Sequence, residues 1–470
     1  MAHALHRLRA MTRIGWFAVS VLVSGCVADI GIFNDGSPSS ELTASAAHGS
    51  KDATGFGDTF DAAGAIDTSN AFFASLGTNG RTCAICHVQA QGWTITPAGV
   101  QARFQATGGT DPIFSMNDGS VSPTADVSTV AARQTAFAML LNKGLIRVGI
   151  GIPAGADFTL VAVDDPYHYA SATELSLFRR PLPSTNLPFL ATVMWDGRET
   201  SSATDIASDL VHQATDATLG HAQATGTDPN QMQSIEQFEN ALFTAQTLDS
   251  VAGPLSKDGA TGGPANLANQ QFYIGINDPL GGNPTNAAFD PNAMTLFDAW
   301  APPATPLTDA ASQRRYSIYR GQQIFNSRQF TVSGVAGLND KLGQPSITGT
   351  CTLCHDAPNV GDHTVGLPIN IGIADASRRT PDLPLYTFQQ NTTGATVQTT
   401  DPGRALISGK FADIGKFKGP ILRGLAMRAP YFHNGSAASL ADVVAFYNGR
   451  FNIGLSAQDQ ADLVNFLSAL

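Results

Sequence analysis

Charge is in short supply along this chain: only 14% of its 470 residues are Asp, Glu, Lys or Arg, against about a quarter in an average soluble protein. After the first fifteen residues no Lys/Arg-rich run appears, and the formal net charge is −11. A nucleic-acid partner, which needs a basic footprint, is therefore not expected. Long apolar runs are also missing, because beyond the N-terminus no stretch is long enough to span a bilayer. Cysteine is scarcest of all, with five residues. What is plentiful is Gly (46) and Pro (26), which points to irregular structure wrapped around something, in a chain long enough for two or three domains.

The N-terminus reads "MAHALHRLRAMTRIGWFAVSVLVSGCVAD", a basic start (Arg7, Arg9, Arg13) followed by a short apolar run from Ile14 to Val23. That length fits a signal-peptide core and not a membrane span. The ending "VSGC" resembles the bacterial lipobox, in which the cysteine becomes the lipidated first residue. Residues 1–25 are thus read as a lipoprotein-type signal peptide and Cys26 as the anchor, with an ordinary cleaved signal as the alternative. Residues 26–55 are the tether, the location is the periplasm, and membrane attachment is expected only through the lipid.

The other four cysteines all lie in Cys-x-x-Cys-His strings: Cys83, Cys86 and His87, then Cys351, Cys354 and His355. By composition, such a string has a chance of roughly two in ten thousand per cysteine, and the pattern is the c-type haem attachment signal. Two thiols three residues apart can each bond one haem vinyl group, and the adjacent imidazole then reaches the iron. Two covalently bound haem c groups are expected, with His87 and His355 as proximal ligands. A four-cysteine zinc site would need its pairs much closer in sequence. A redox dithiol does not call for the histidine, and two short disulfides would leave both histidines unexplained.

Each string follows an apolar-aromatic helix candidate, "NAFFASLG" and "RRYSIYRGQQIFNS", a weak internal repeat. The expected fold is mainly α: two cytochrome-c-like helical haem domains, 56–310 and 311–470, with long loop-rich insertions over 97–165 and 250–310. Within the first insertion "VSTVAARQTAFAMLLNKG" reads as a helix. The C-terminus predicts two helices with N-caps Ser439 and Ser456 answered by Asp442 and Asp459.

Two further stretches, "VMWDGRE" with "DLVHQATDATLGHAQ" and "FKGPILRGLAMRAPYFHNGSAASLADVVAFYNGR", resemble the bacterial dihaem cytochrome c peroxidase and MauG family. The resemblance covers both haem cores and leaves out the insertions. It implies that the haem of His87 reacts with hydrogen peroxide and that the haem of His355 relays electrons through Trp195. It places the second haem's sixth ligand at Tyr447, as in the MauG branch, with Met427 the nearest thioether alternative. Gln213 matches the family's glutamine on the peroxide side. The family's glutamate is absent, and His221 is the expected acid-base group in its place, or else a direct iron ligand. His168 lies near where some members place a removable ligand. Arg179 and Arg180 stand where the family supplies an asparagine to calcium, so calcium is a doubtful cofactor and a guanidinium is its expected substitute.

The reading is a periplasmic dihaem peroxidase-like oxidoreductase. Its electrons would come from a small cytochrome c or a cupredoxin, or, in a MauG-like variant, from a protein or small-molecule substrate. The rival is a non-enzymatic dihaem electron-transfer protein with both irons six-coordinate. A third reading is a docking lipoprotein whose insertions bind a partner.

Overall fold

The structure, a computed structural model, describes residues 49–470 apart from 202–204, 271–276, 284–285, 287, 291, 304–305, 358–359, 361 and 364–365. The expected signal peptide, Cys26 and most of the tether lie outside the described residues. Among the described residues no helix is long and apolar enough to cross a membrane.

Six described helices exceed two turns: α1 Pro97–Thr107, α2 Ile206–Gly220, α3 Pro229–Ala241, α4 Ala310–Ser327, α5 Leu440–Arg450 and α6 Ala457–Ser468. Each begins on a Thr, Asp or Ser whose side chain accepts a first-turn N–H, which satisfies a donor the helix cannot. The capping boxes at Ser439/Asp442 and Ser456/Asp459 are both formed. α6 lies on α4 and buries Phe466 and Leu467 with Phe325 and Ile318, joined by Leu440 and Val444 of α5. The approach is close because residue 321 is glycine: a Cβ there would press on the Asp462 carbonyl and come within 2.6 Å of Phe466 Cβ.

The mainly α expectation needs correction, since the described residues are 34% helical and 17% strand. Gly55–Asp61 pairs antiparallel with Leu242–Asp249, and Ile146–Ile150 with Leu175–Arg179. Phe158–Asp164 pairs with Leu385–Gln390, which pairs with Thr396–Thr399. This last sheet joins the two halves of the chain, and Tyr386 locks it by donating to Ser176 O at 2.8 Å. Ile146–Ile150 and Phe158–Asp164 lie in the insertion expected to be loop-rich, where their β-branched and aromatic residues find partner strands elsewhere in the chain.

Two helix expectations also shrink. "NAFFASLG" forms only a 3₁₀ turn, Ala71–Phe73, but its Phe72 still packs against Trp93 and Phe238. "VSTVAARQTAFAMLLNKG" breaks at Phe137 into Val130–Ala136 and Ala138–Lys143.

Candidate haem sites

Both Cys-x-x-Cys-His strings fold alike. Cys83–Ile85 and Cys351–Leu353 are 3₁₀ turns closed by Cys86 and Cys354, and each turn opens onto its own apolar cavity. The first leaves about 1450 Å³ free of protein atoms, part of it open to solvent, and is lined by Cys83, Cys86, His87, Gln213 and His221. The second leaves about 1850 Å³ on the same measure and is lined by Cys351, Cys354, His355, Trp195 and Tyr447. These ten expected site residues thus each border one of the two cavities.

All four cysteines are unpaired, and burial pushes their thiols up, Cys86 to about 11 and the other three to about 12. A group entering these cavities would have to be largely apolar with a negative edge. The Arg423 guanidinium in the first cavity's wall is buried, and none of its three nitrogens has a hydrogen-bond partner among the described residues. Burial pulls it down to about 9. A buried, uncompensated cation is costly, and the carboxylates of a haem would meet it, so the residues fit that group.

His87 is oriented before any ligand arrives. Its Nδ1–H donates to the Trp93 carbonyl at 3.0 Å, which leaves Nε2 with the lone pair. Trp93 sits at φ 57° to turn that carbonyl inward, a conformation that costs a side-chain-bearing residue about 1 kcal/mol or more. Burial holds the His87 imidazole neutral down to about pH 4, outweighing the opposing Trp93 bond, with His221 adding a lesser push in the same direction as burial.

On α2, Gln213 and Ala217 stand one turn apart on the face toward the first cavity, and His221 caps the same helix. The His221 side chain is 38% exposed, and its Nδ1 pairs with an Asp118 oxygen. The other Asp118 oxygen takes Arg81. Burial alone would raise the Asp118 carboxyl, but His221 and Arg81 outweigh it and hold it below its usual range. Sequence reasoning missed Asp118, which lies in a Ser- and Gly-rich stretch with no spacing signal. It also missed Glu239 on α3, a buried carboxyl on the same cavity pushed up to about 8 by burial and then by Glu236.

Trp195 lies on the second cavity only, while its neighbours Val193 and Met194 line the first. Its Nε1–H donates to Arg180 O at 2.8 Å, and its ring meets His433 edge-on at 6.2 Å. His433 stacks on Phe417 with centroids 4.0 Å apart. Pro181, Leu182, Pro183, Lys418, Pro420 and Arg428 line both cavities and form a common wall.

Tyr447 packs between Phe446 and Phe451, and burial pushes its phenol well above the usual range. Met427 lines neither cavity; its thioether sits over Gly57. His168 is exposed on a turn and also lines neither. Arg179 is buried between two carboxylates, 2.5 Å from Asp196 and bidentate to Asp401 at 2.7 and 2.9 Å.

Two Cys-x-x-Cys-His turns, each facing its own apolar cavity, are the arrangement that fits a pair of c-type haems. The chain is similar to curated cytochrome-c peroxidases. It is 36% identical over 132 residues to cytochrome-c peroxidase IdrP2 of Denitromonas iodatirespirans, covering 26% of this chain and 36% of that protein. It is 30% identical over 190 residues to IdrP1 of the same organism, covering 37% and 44%, and 31% identical over 160 residues to IdrP1 of Pseudomonas sp. (strain SCT), covering 29% and 38%. The matched regions thus span less than half the length of these relatives. A solved MauG-like protein associated with microbial copper homeostasis aligns over 65% of this chain and 77% of its own, at 17% identity and a TM-score of 0.33. No family model matches the chain.

Proposed function

We propose that this protein is a periplasmic dihaem c-type peroxidase-like oxidoreductase, lipid-anchored through Cys26. The observation that carries the proposal is the grouping of an attachment string, a neutral oriented His87, Gln213 and a carboxylate-backed His221 around one cavity. Haem bonded to Cys83 and Cys86 would supply the iron at which hydrogen peroxide is reduced to water by two electrons and two protons, and a second haem on Cys351 and Cys354 would pass electrons to it.

The chain's own residues supply the proton handling and the route. Asp118 holds the Nδ1–H of His221, so Nε2 is the atom that takes a proton from the near oxygen of peroxide and returns it to the far one. Asp118 then offsets the imidazolium charge. The Gln213 amide, on the same helix face, orients the bound peroxide. Trp195, whose carbonyl accepts from the Lys418 N–H of the common wall at 2.9 Å, is the stepping stone between the cavities, and Tyr447 is the residue that would offer its oxygen to the second haem's iron. A phenolate there would favour ferric iron, which supports MauG-like oxidation of a protein or small molecule. An electron donor such as a small cytochrome c or a cupredoxin serves the ordinary peroxidase case.

Electron paramagnetic resonance of the ferric protein before and after one equivalent of hydrogen peroxide tests this. A high-spin signal that disappears on peroxide addition is expected. Two low-spin signals indifferent to peroxide, also after partial reduction, would make the protein an electron carrier.

A further inference from the structure

α2 turns Gln213 toward the first cavity and keeps a second face in solvent. On that outer face His212 and Asp216 stand one turn apart, and Glu199, from the loop that carries Trp195, reaches both. Each offers one ligand atom, and the three atoms lie within 4.8 Å of one another. The Glu199 side chain is 5% exposed and that of His212 62%. Glu199 Oε1 faces Arg198 at 3.5 Å, whereas Oε2 lies 2.7 Å from His212 Nδ1 and still has no hydrogen-bond partner.

We propose that Glu199, His212 and Asp216 form a binding site for a first-row divalent cation of the Zn²⁺ type. One imidazole and two carboxylates suit such an ion, with solvent completing the shell. Ca²⁺ takes six to eight oxygens, and this site offers fewer. The two carboxylate charges balance the ion's, and the buried Glu199 fixes one end while the exposed pair closes on it. Because Glu199 follows Trp195 in the loop and His212 precedes Gln213 on the helix, the bound ion clamps the proposed electron route to the proposed peroxide-side helix.

The test is isothermal calorimetry of ZnCl₂ into the chelator-treated holoprotein, beside His212→Ala and Asp216→Asn. Both side chains are exposed, and haem absorption and circular dichroism check that each variant keeps its fold. The parent is expected to show a saturable Zn²⁺ site and a melting temperature that rises with Zn²⁺. Both variants should lose the site or bind more than about 100-fold more weakly, beyond the loss of an outer-shell partner. Equal affinity and stoichiometry in parent and variants, or no saturable site in the parent, would overturn the proposal.

Discussion

Replacing Asp118 by Asn leaves the shape of the carboxyl and removes its charge, so it isolates what Asp118 does for His221. A hydrogen bond to a charged group contributes about 1.5–3 kcal/mol. The His221 side chain is 38% exposed, so solvent screening places the loss in the lower half of that range, about 1.5–2 kcal/mol. At about 1.4 kcal/mol per decade of rate, this predicts roughly a ten- to thirtyfold slower reaction with peroxide. His221→Gln, which removes the proton carrier, should cost about 10²–10⁴. The double variant should be no slower than His221→Gln alone, because the two residues act as one unit. The assay is stopped-flow mixing with excess hydrogen peroxide, followed by haem absorbance. Asp118 also pairs with buried Arg81, so melting temperatures are recorded beside the rates to separate loss of fold from loss of chemistry. An Asp118→Asn rate within about twofold of the parent, while His221→Gln is slow, would refute the orientation argument.

Trp195→Phe should keep the fold, losing one hydrogen bond worth about 1 kcal/mol, and slow electron exchange between the two haems without changing the first encounter with peroxide; freeze-quench spectroscopy reads both. Tyr447→Phe should alter the absorption and paramagnetic spectra of the second haem, and unchanged spectra would remove Tyr447 as its ligand. Asp196 is held below the usual carboxylate range because the Arg179 and Arg198 charges outweigh burial, which acts the other way. Its contribution to stability is therefore full above the unfolded pKa of about 3.9 and is lost as pH falls through the folded value. Asp196→Asn should flatten the acid limb of a plot of melting temperature against pH. Gly321→Ala should destabilise the protein by about 1–3 kcal/mol in chemical denaturation by forcing α4 and α6 apart.

The parts of this molecule legible in its sequence are those written in local spacing. The Cys-x-x-Cys-His turns and the two capping boxes each need only a few consecutive residues, and they formed as expected. Family resemblance, which preserves order along the chain, pointed to Trp195 and Tyr447, and both line the second cavity. Asp118 escaped because its bond to His221 joins residues far apart in sequence, and a lone aspartate in a loop carries no periodic signal. The sheet of Phe158–Asp164 with Leu385–Gln390 escaped for the same reason: register is set by the partner strand.

The six residues of the common wall face both cavities. Through this wall neither cavity can be adjusted in isolation, because a change of size or charge at Arg428 or Lys418 alters the surroundings of both at once. Substitutions in the wall that retune one cavity will carry a correlated shift in the other, and variation in this segment will be tolerated only in combinations that suit both.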